Sequence, residues 1–88
     1  MITRKDAQKK ALACANDMIK NNGGESVAFA SPRKGKCSWT WNEYKEAVLN
    51  DRCLLDERGR EIKGTNPVDD MYNYLVYAQE HRLPSSKN

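Results

Sequence analysis

The stretch SPRKGKCSWTWNEY, Ser31 to Tyr44, holds three basic residues and two tryptophans. Alternation over Lys36–Trp41 points Cys37, Trp39 and Trp41 one way and Lys36, Ser38 and Thr40 the other, the pattern of a half-buried strand. Just upstream, ESVAFAS (Glu25–Ser31) alternates too, with Val27 and Phe29 sharing a face. Pro32-Arg33-Lys34-Gly35 lies between the two runs and has turn chemistry, since proline presets φ and glycine tolerates a positive φ. The spacing predicts a β-hairpin. Immediately downstream, Thr40-Trp41-Asn42-Glu43 fits a capping box. A short helix is expected from there to Asn50, with Trp41, Tyr44 and Val48 on one side.

On the N-terminal side, residues 3–22 read as a helix. Thr3 is its N-cap and Asp6 stands three positions on. Ala7, Ala11, Leu12, Ala15, Met18 and Ile19 recur at three- and four-residue steps and define one apolar face. Asn21-Asn22-Gly23-Gly24 stops it, because glycine accepts the left-handed conformation of a helix end. On the C-terminal side, RCLLDERGREIKG (Arg52–Gly64) reads as a second hairpin, with Asp56 and Gly59 at the first and fourth positions of a type I turn. The last helix carries the strongest signals. Asn66 caps it, Pro67 takes the first helical position, and Asp69-Asp70 meet the positive end of the dipole. His81-Arg82 sit at the negative end and Pro84 follows. Val68, Met71, Leu75 and Ala78 form its core stripe, flanked by Tyr72 and Val76. The expected fold is α+β: a small single domain, helix–β-hairpin–helix–β-hairpin–helix, with a small antiparallel sheet. It spans residues 1–84, with a frayed tail at 85–88.

Composition narrows the function. A chain of 88 residues buries only about 60–65% of its unfolded surface, enough for one small core and no deep enclosed site. The net charge is +3. Residues 1–44 hold eight Lys/Arg against four Asp/Glu, and residues 45–88 seven against eight, so the basic bias lies in the front half. The three cysteines, Cys14, Cys37 and Cys53, are odd in number and far apart. That argues against a disulfide framework and for reduced thiols packed as small hydrophobes. With no CxxC and one histidine, neither a metal site nor a cofactor is expected. The opening MITRKDAQKK lacks the apolar segment of a secretion signal. No apolar run approaches the ~20 residues of a membrane span. A cytoplasmic location follows as the expectation.

Several residue groups compete for a functional role. Trp39 and Trp41 are expected mainly in the core, since each brings about 150–250 Å² of contact area; the alternative stacks an exposed tryptophan on a nucleic-acid base. Arg33, Lys34 and Lys36 at the hairpin tip, with Lys5, Lys9 and Lys20 in one strip on the first helix, could contact phosphates or an acidic protein surface. Catalysis has little support. His81, the single histidine, stands where a helix end favours a cation. Asp69 and Asp70 are adjacent and diverge by about 100° on a helix, so they cannot act as a pair. Neither a P-loop nor GxGxxG is present. No catalytic residues are assigned and no enzyme is expected.

One pattern exceeds what a solvated helix needs. With the core stripe of the last helix in place, Asp70, Tyr74, Tyr77 and His81 follow i, i+4, i+7, i+11 along its far side. Tyrosine offers large contact area at low entropic cost, with a polar tip. This stripe is the expected partner-binding face, for another protein or for self-association. In size and lack of catalytic groups the chain resembles small accessory proteins of phages and mobile elements. The resemblance implies an inhibitor that binds a host protein or defence complex. The alternative is a nucleic-acid-associated protein that grips phosphates through the hairpin tip and the first helix.

Overall fold

The computed structural model describes residues 1–33 and 35–81, and among them it contains three helices and one two-stranded sheet. These are α1 (Arg4–Asn22), β1 (Val27–Arg33), β2 (Lys36–Thr40), α2 (Trp41–Leu49) and α3 (Pro67–Glu80). The chain is thus α+β. Lys34, Arg82, Pro84 and the tail at 85–88 lie outside the described residues.

Each helix begins where its cap residues place it. The Thr3 hydroxyl accepts from the Asp6 amide at 3.1 Å, and the Asp6 carboxylate accepts from the Thr3 amide at 3.1 Å. Thr40 and Glu43 repeat this reciprocal box at α2, with amide-to-side-chain distances of 3.3 and 2.8 Å. The first amides of α2 are satisfied by the loop before β1: Trp41 donates to the Ser26 carbonyl and Asn42 to the Gly24 carbonyl. At α3 the Asn66 side-chain oxygen accepts from the Val68 amide at 2.8 Å, and Pro67 fills the position where an amide would be unpaired. Gly23 ends α1 at φ +89°, its amide donating to the Ile19 carbonyl.

The hairpin departs from strict alternation. An extra β1 residue lies between the pairs Val27–Thr40 and Phe29–Trp39. This bulge separates Val27 from Phe29. Val27 is exposed, whereas Phe29 turns in against Trp39 at 5.5 Å between ring centroids. Pairing continues to Arg33–Lys36, so Pro32 and Arg33 belong to β1 and not to the turn expected over residues 32–35, and Gly35 stands at φ +73°.

The second hairpin contracts to a turn closed by a single bridge, Leu55 to Glu61. Side chains capture donors that a longer ladder would use. The Glu61 carboxylate takes the Cys53 amide at 2.9 Å, the Thr65 hydroxyl takes the Leu54 amide at 2.9 Å, and the Asp56 carboxylate takes the amides of Arg58 and Arg60. Asp56 and Gly59 do close the turn, by a 3.0 Å backbone bond.

The core has two parts. Ala7 and Ala11 of α1 meet Val48 of α2 and Val68 of α3, with Leu12, Tyr44, Met71, Tyr72 and Leu75 packed around them. The small alanine side chains let the helix backbones approach closely. The second part is Trp39, Ala47 and Leu54, flanked by Phe29 and Ile62. Trp39 is its largest member, and its indole N–H donates to the Leu55 carbonyl at 2.6 Å. The two tryptophans separate. Trp39 is buried, while Trp41, at the first turn of α2, is half-buried and edge-on to Tyr44 at 5.0 Å. Cys37 shares the strand parity of Trp39 but is exposed, as are Pro32, Gly35 and Ser38, because the hairpin tip extends past the core. Cys14 is exposed too and Cys53 half-buried, so the thiols are free but not packed as core residues.

Candidate protein-binding face

The core stripe of α3 turns its outer side to solvent. Val68 is buried and Met71, Tyr72 and Leu75 pack against the first core cluster, which anchors the helix without Tyr74 and Tyr77. Tyr74 and Tyr77 are 64% and 61% exposed. Asp70 and His81 extend the same stripe and are exposed as well. All four predicted residues therefore share one open face.

Its two ends differ in chemistry. Partial burial pushes the Asp70 carboxyl up from its ordinary range, and the neighbouring Asp69 carboxylate adds to this. Asp70 has no ion pair among the described residues, whereas Asp69 is paired with Arg4. At the other end the Tyr77 and His81 rings stack at 4.0 Å, inclined by 19°. His81 Nδ1 lies 3.0 Å from the Tyr77 carbonyl oxygen. A carbonyl only accepts, so Nδ1 carries the proton, and Nε2 has no partner among the described residues.

Beside Tyr74 runs an open groove of about 470 Å³ between α1 and α3, walled by Ala13, Cys14, Met18, Met71 and Tyr74, with Lys10 and Asp17 on its rim. The sequence reading missed this feature. Met18 and Met71 fell in core stripes and Cys14 among packed thiols. Their shared position is a product of how α1 crosses α3, and one helix's periodicity cannot report it. Tyr44 of α2, half-buried against the first core cluster, has its phenol pushed up by burial, with Cys14 and Asp70 contributing, so it remains a neutral hydrogen-bond donor.

The basic residues are not gathered in the same way. Lys36 Nζ lies 3.3 Å from the Glu43 carboxylate and 5.5 Å from the centre of the Trp39 ring. Its charge is thus partly neutralised within the fold. Lys5, Lys9 and Lys20 are exposed on α1. Among the described residues neither strand packs against α1, so this strip and the described part of the hairpin lie on elements that do not pack together. Lys34 and the Arg33 side chain lie outside what is described.

Among the described residues, no three His, Cys, Asp or Glu side chains are grouped as metal ligands. Likewise, no described helix is long and apolar enough to cross a membrane. No family model, curated protein or solved structure matches the chain.

Proposed function

We propose that this chain is a small non-enzymatic protein-binding module. Its contact face is the Asp70–Tyr74–Tyr77–His81 stripe together with the groove beside Tyr74. The observation that carries this reading is the exposure of two tyrosines, 64% and 61%, on a helix already anchored by other residues. Aromatic surface next to a methionine-lined groove, with Lys10, Asp17, Asp70 and His81 around it, suits a protein surface of mixed charge. A phosphate backbone would call for cations alone. The specific role we propose is inhibition of a host protein or defence complex, of the kind phages and mobile elements encode, in the cytoplasm.

The test is affinity capture from the cells that make the protein, with Tyr74→Ala/Tyr77→Ala as comparison. A partner held by the parent and lost by the double variant, by about 30-fold or more if the pair forms a hot spot, supports the face. A double variant that melts like the parent and retains every partner refutes it. The second reading, weak phosphate contact, draws on the exposure of Lys5, Lys9 and Lys20. Nucleic acid bound equally by parent and double variant would favour it.

A further inference from the structure

The stripe on α3 is palindromic. Asp70, Tyr74, Tyr77 and His81 are separated by steps of four, three and four residues, which read the same in both directions. The chemistry reads the same way up to complementation: an acid at one end, a base at the other, a tyrosine inside each. The mean step is 11/3, about 3.7 residues, close to the helical period, so the four side chains lie in one nearly straight row along the helix.

We propose that this face binds a second copy of the chain, with the two α3 helices antiparallel about a two-fold axis passing between Leu75 and Val76. In this register Asp70 faces His81 of the partner subunit at both ends, and Tyr74 faces Tyr77 of the partner subunit on either side of the axis. A two-fold interface requires one surface complementary to itself, and a single stripe on one helix supplies it. This deepens the protein-binding reading above and rests on it, naming the occupant of the face.

Three structural features fit that occupant. Asp70 is partly desolvated and has no cation among the described residues, so it is an acid lacking the partner that His81 would supply. His81 is held by its stack on Tyr77 and by the bond from Nδ1 to the Tyr77 carbonyl. Nε2, without a partner among the described residues, can donate to a carboxylate when the ring is protonated. The groove walled by Tyr74, Met71, Met18 and Cys14 adjoins the place where the partner's Tyr77 ring would sit, and its thioethers suit an aromatic ring. The contact is modest in size. A helix of 14 residues is about 21 Å long, so association belongs to the weak class of interfaces and is read at high micromolar concentration.

Sedimentation equilibrium of the intact chain over a wide concentration range provides the test. The expected result is a mass rising from 10.1 kDa towards twice that value. Asp70→Arg alone should weaken association about 10-fold or more by setting like charges against each other. Asp70→Arg combined with His81→Glu re-pairs both ends of an antiparallel dimer and should restore it. Tyr74→Ala/Tyr77→Ala should abolish it with the melting temperature unchanged. A parent that stays at 10.1 kDa at millimolar concentration overturns self-association. The capture experiment then decides independently whether the face serves another protein. A dimer that survives the tyrosine double variant, or an Asp70→Arg defect that the combined swap does not repair, overturns the proposed register.

Discussion

Arg4 and Asp51, 47 residues apart, meet through two hydrogen bonds: Nε to Oδ2 at 3.1 Å and Nη2 to Oδ1 at 2.7 Å. The same guanidinium pairs with Asp69, and Asp51 also accepts from the Asn66 side-chain amide at 3.3 Å. The start of α1, the residues just after α2 and the start of α3 are thereby tied at one point. Asp51 stands in the left-handed region at φ +48°, a conformation that aspartate tolerates better than most residues.

The Arg4 hydrogen bonds hold the Asp51 carboxyl below its ordinary range. Its folded pKa is therefore lower than its unfolded one. The stabilisation is complete above the unfolded value and is lost as pH falls through the folded value. Both side chains are substantially exposed, so a double-mutant cycle with Arg4→Met and Asp51→Asn should give a coupling of about 0.2–1 kcal/mol. Urea titrations between pH 7 and pH 2 should show a shallower acid limb in Arg4→Met. An unchanged limb would mean that other carboxylates govern acid unfolding.

Trp39 should be the residue the fold can least spare. It is the largest fully buried side chain, and its indole satisfies the Leu55 carbonyl. Trp39→Ala should cost about 3–5 kcal/mol, a large part of a small domain's stability. Trp41→Ala should cost less, since Trp41 is only half-buried. Chemical denaturation of the two variants checks the order, and equal losses would contradict the separation of the two rings.

Asp70 should show the opposite sign to Asp51. Burial raises its folded pKa above the unfolded value, so the ionised form opposes folding at neutral pH. That penalty starts to fall as pH drops through the raised value and is gone below the unfolded one. Asp70→Asn should therefore stabilise the monomer slightly at pH 7, and the gain should vanish in acid. Thermal melts of the dilute protein at several pH values measure this. A loss of stability in Asp70→Asn at pH 7 would show that the favourable α3 dipole outweighs desolvation.

All three thiols should titrate in denaturant, but unequally in the native state. Cys14 and Cys37 are exposed and Cys53 half-buried, so a thiol reagent should modify two quickly and the third more slowly. Peptide mapping after brief labelling identifies them. Protection of Cys14 that grows with protein concentration would locate it near an interface. Fast labelling of Cys53 would contradict its position.

Any binding to nucleic acid should be weak and indifferent to sequence. Replacing Arg33, Lys34 and Lys36 together by alanine removes three charges, but Lys36 is already paired with Glu43. The salt slope should therefore flatten by about 2 units in place of the roughly 3 expected from three free phosphate contacts. Titrations between 50 and 200 mM salt give the slope. Sequence-specific nanomolar binding at 150 mM salt would reveal a recognition surface elsewhere.

What the sequence by itself determined is local. Helix starts at Thr3, Thr40 and Asn66 were legible because each cap and its amide lie within three residues. The outer stripe of α3 was legible because the core residues of one helix settle which side remains. The tertiary structure decided everything that depends on distant neighbours. The bulge that parts Val27 from Phe29 depends on the facing strand. The short second hairpin depends on Thr65 and Glu61 taking amides from the opposite arm of the turn. Trp39 and Trp41 share a sequence parity, but α2 begins between them, and the switch from a two-residue to a 3.6-residue period sends their rings to different environments. The groove beside Tyr74 and the Arg4–Asp51 tie exist only where separate elements meet. Periodicity gives the direction of a side chain from its own backbone, and only packing decides what stands opposite it.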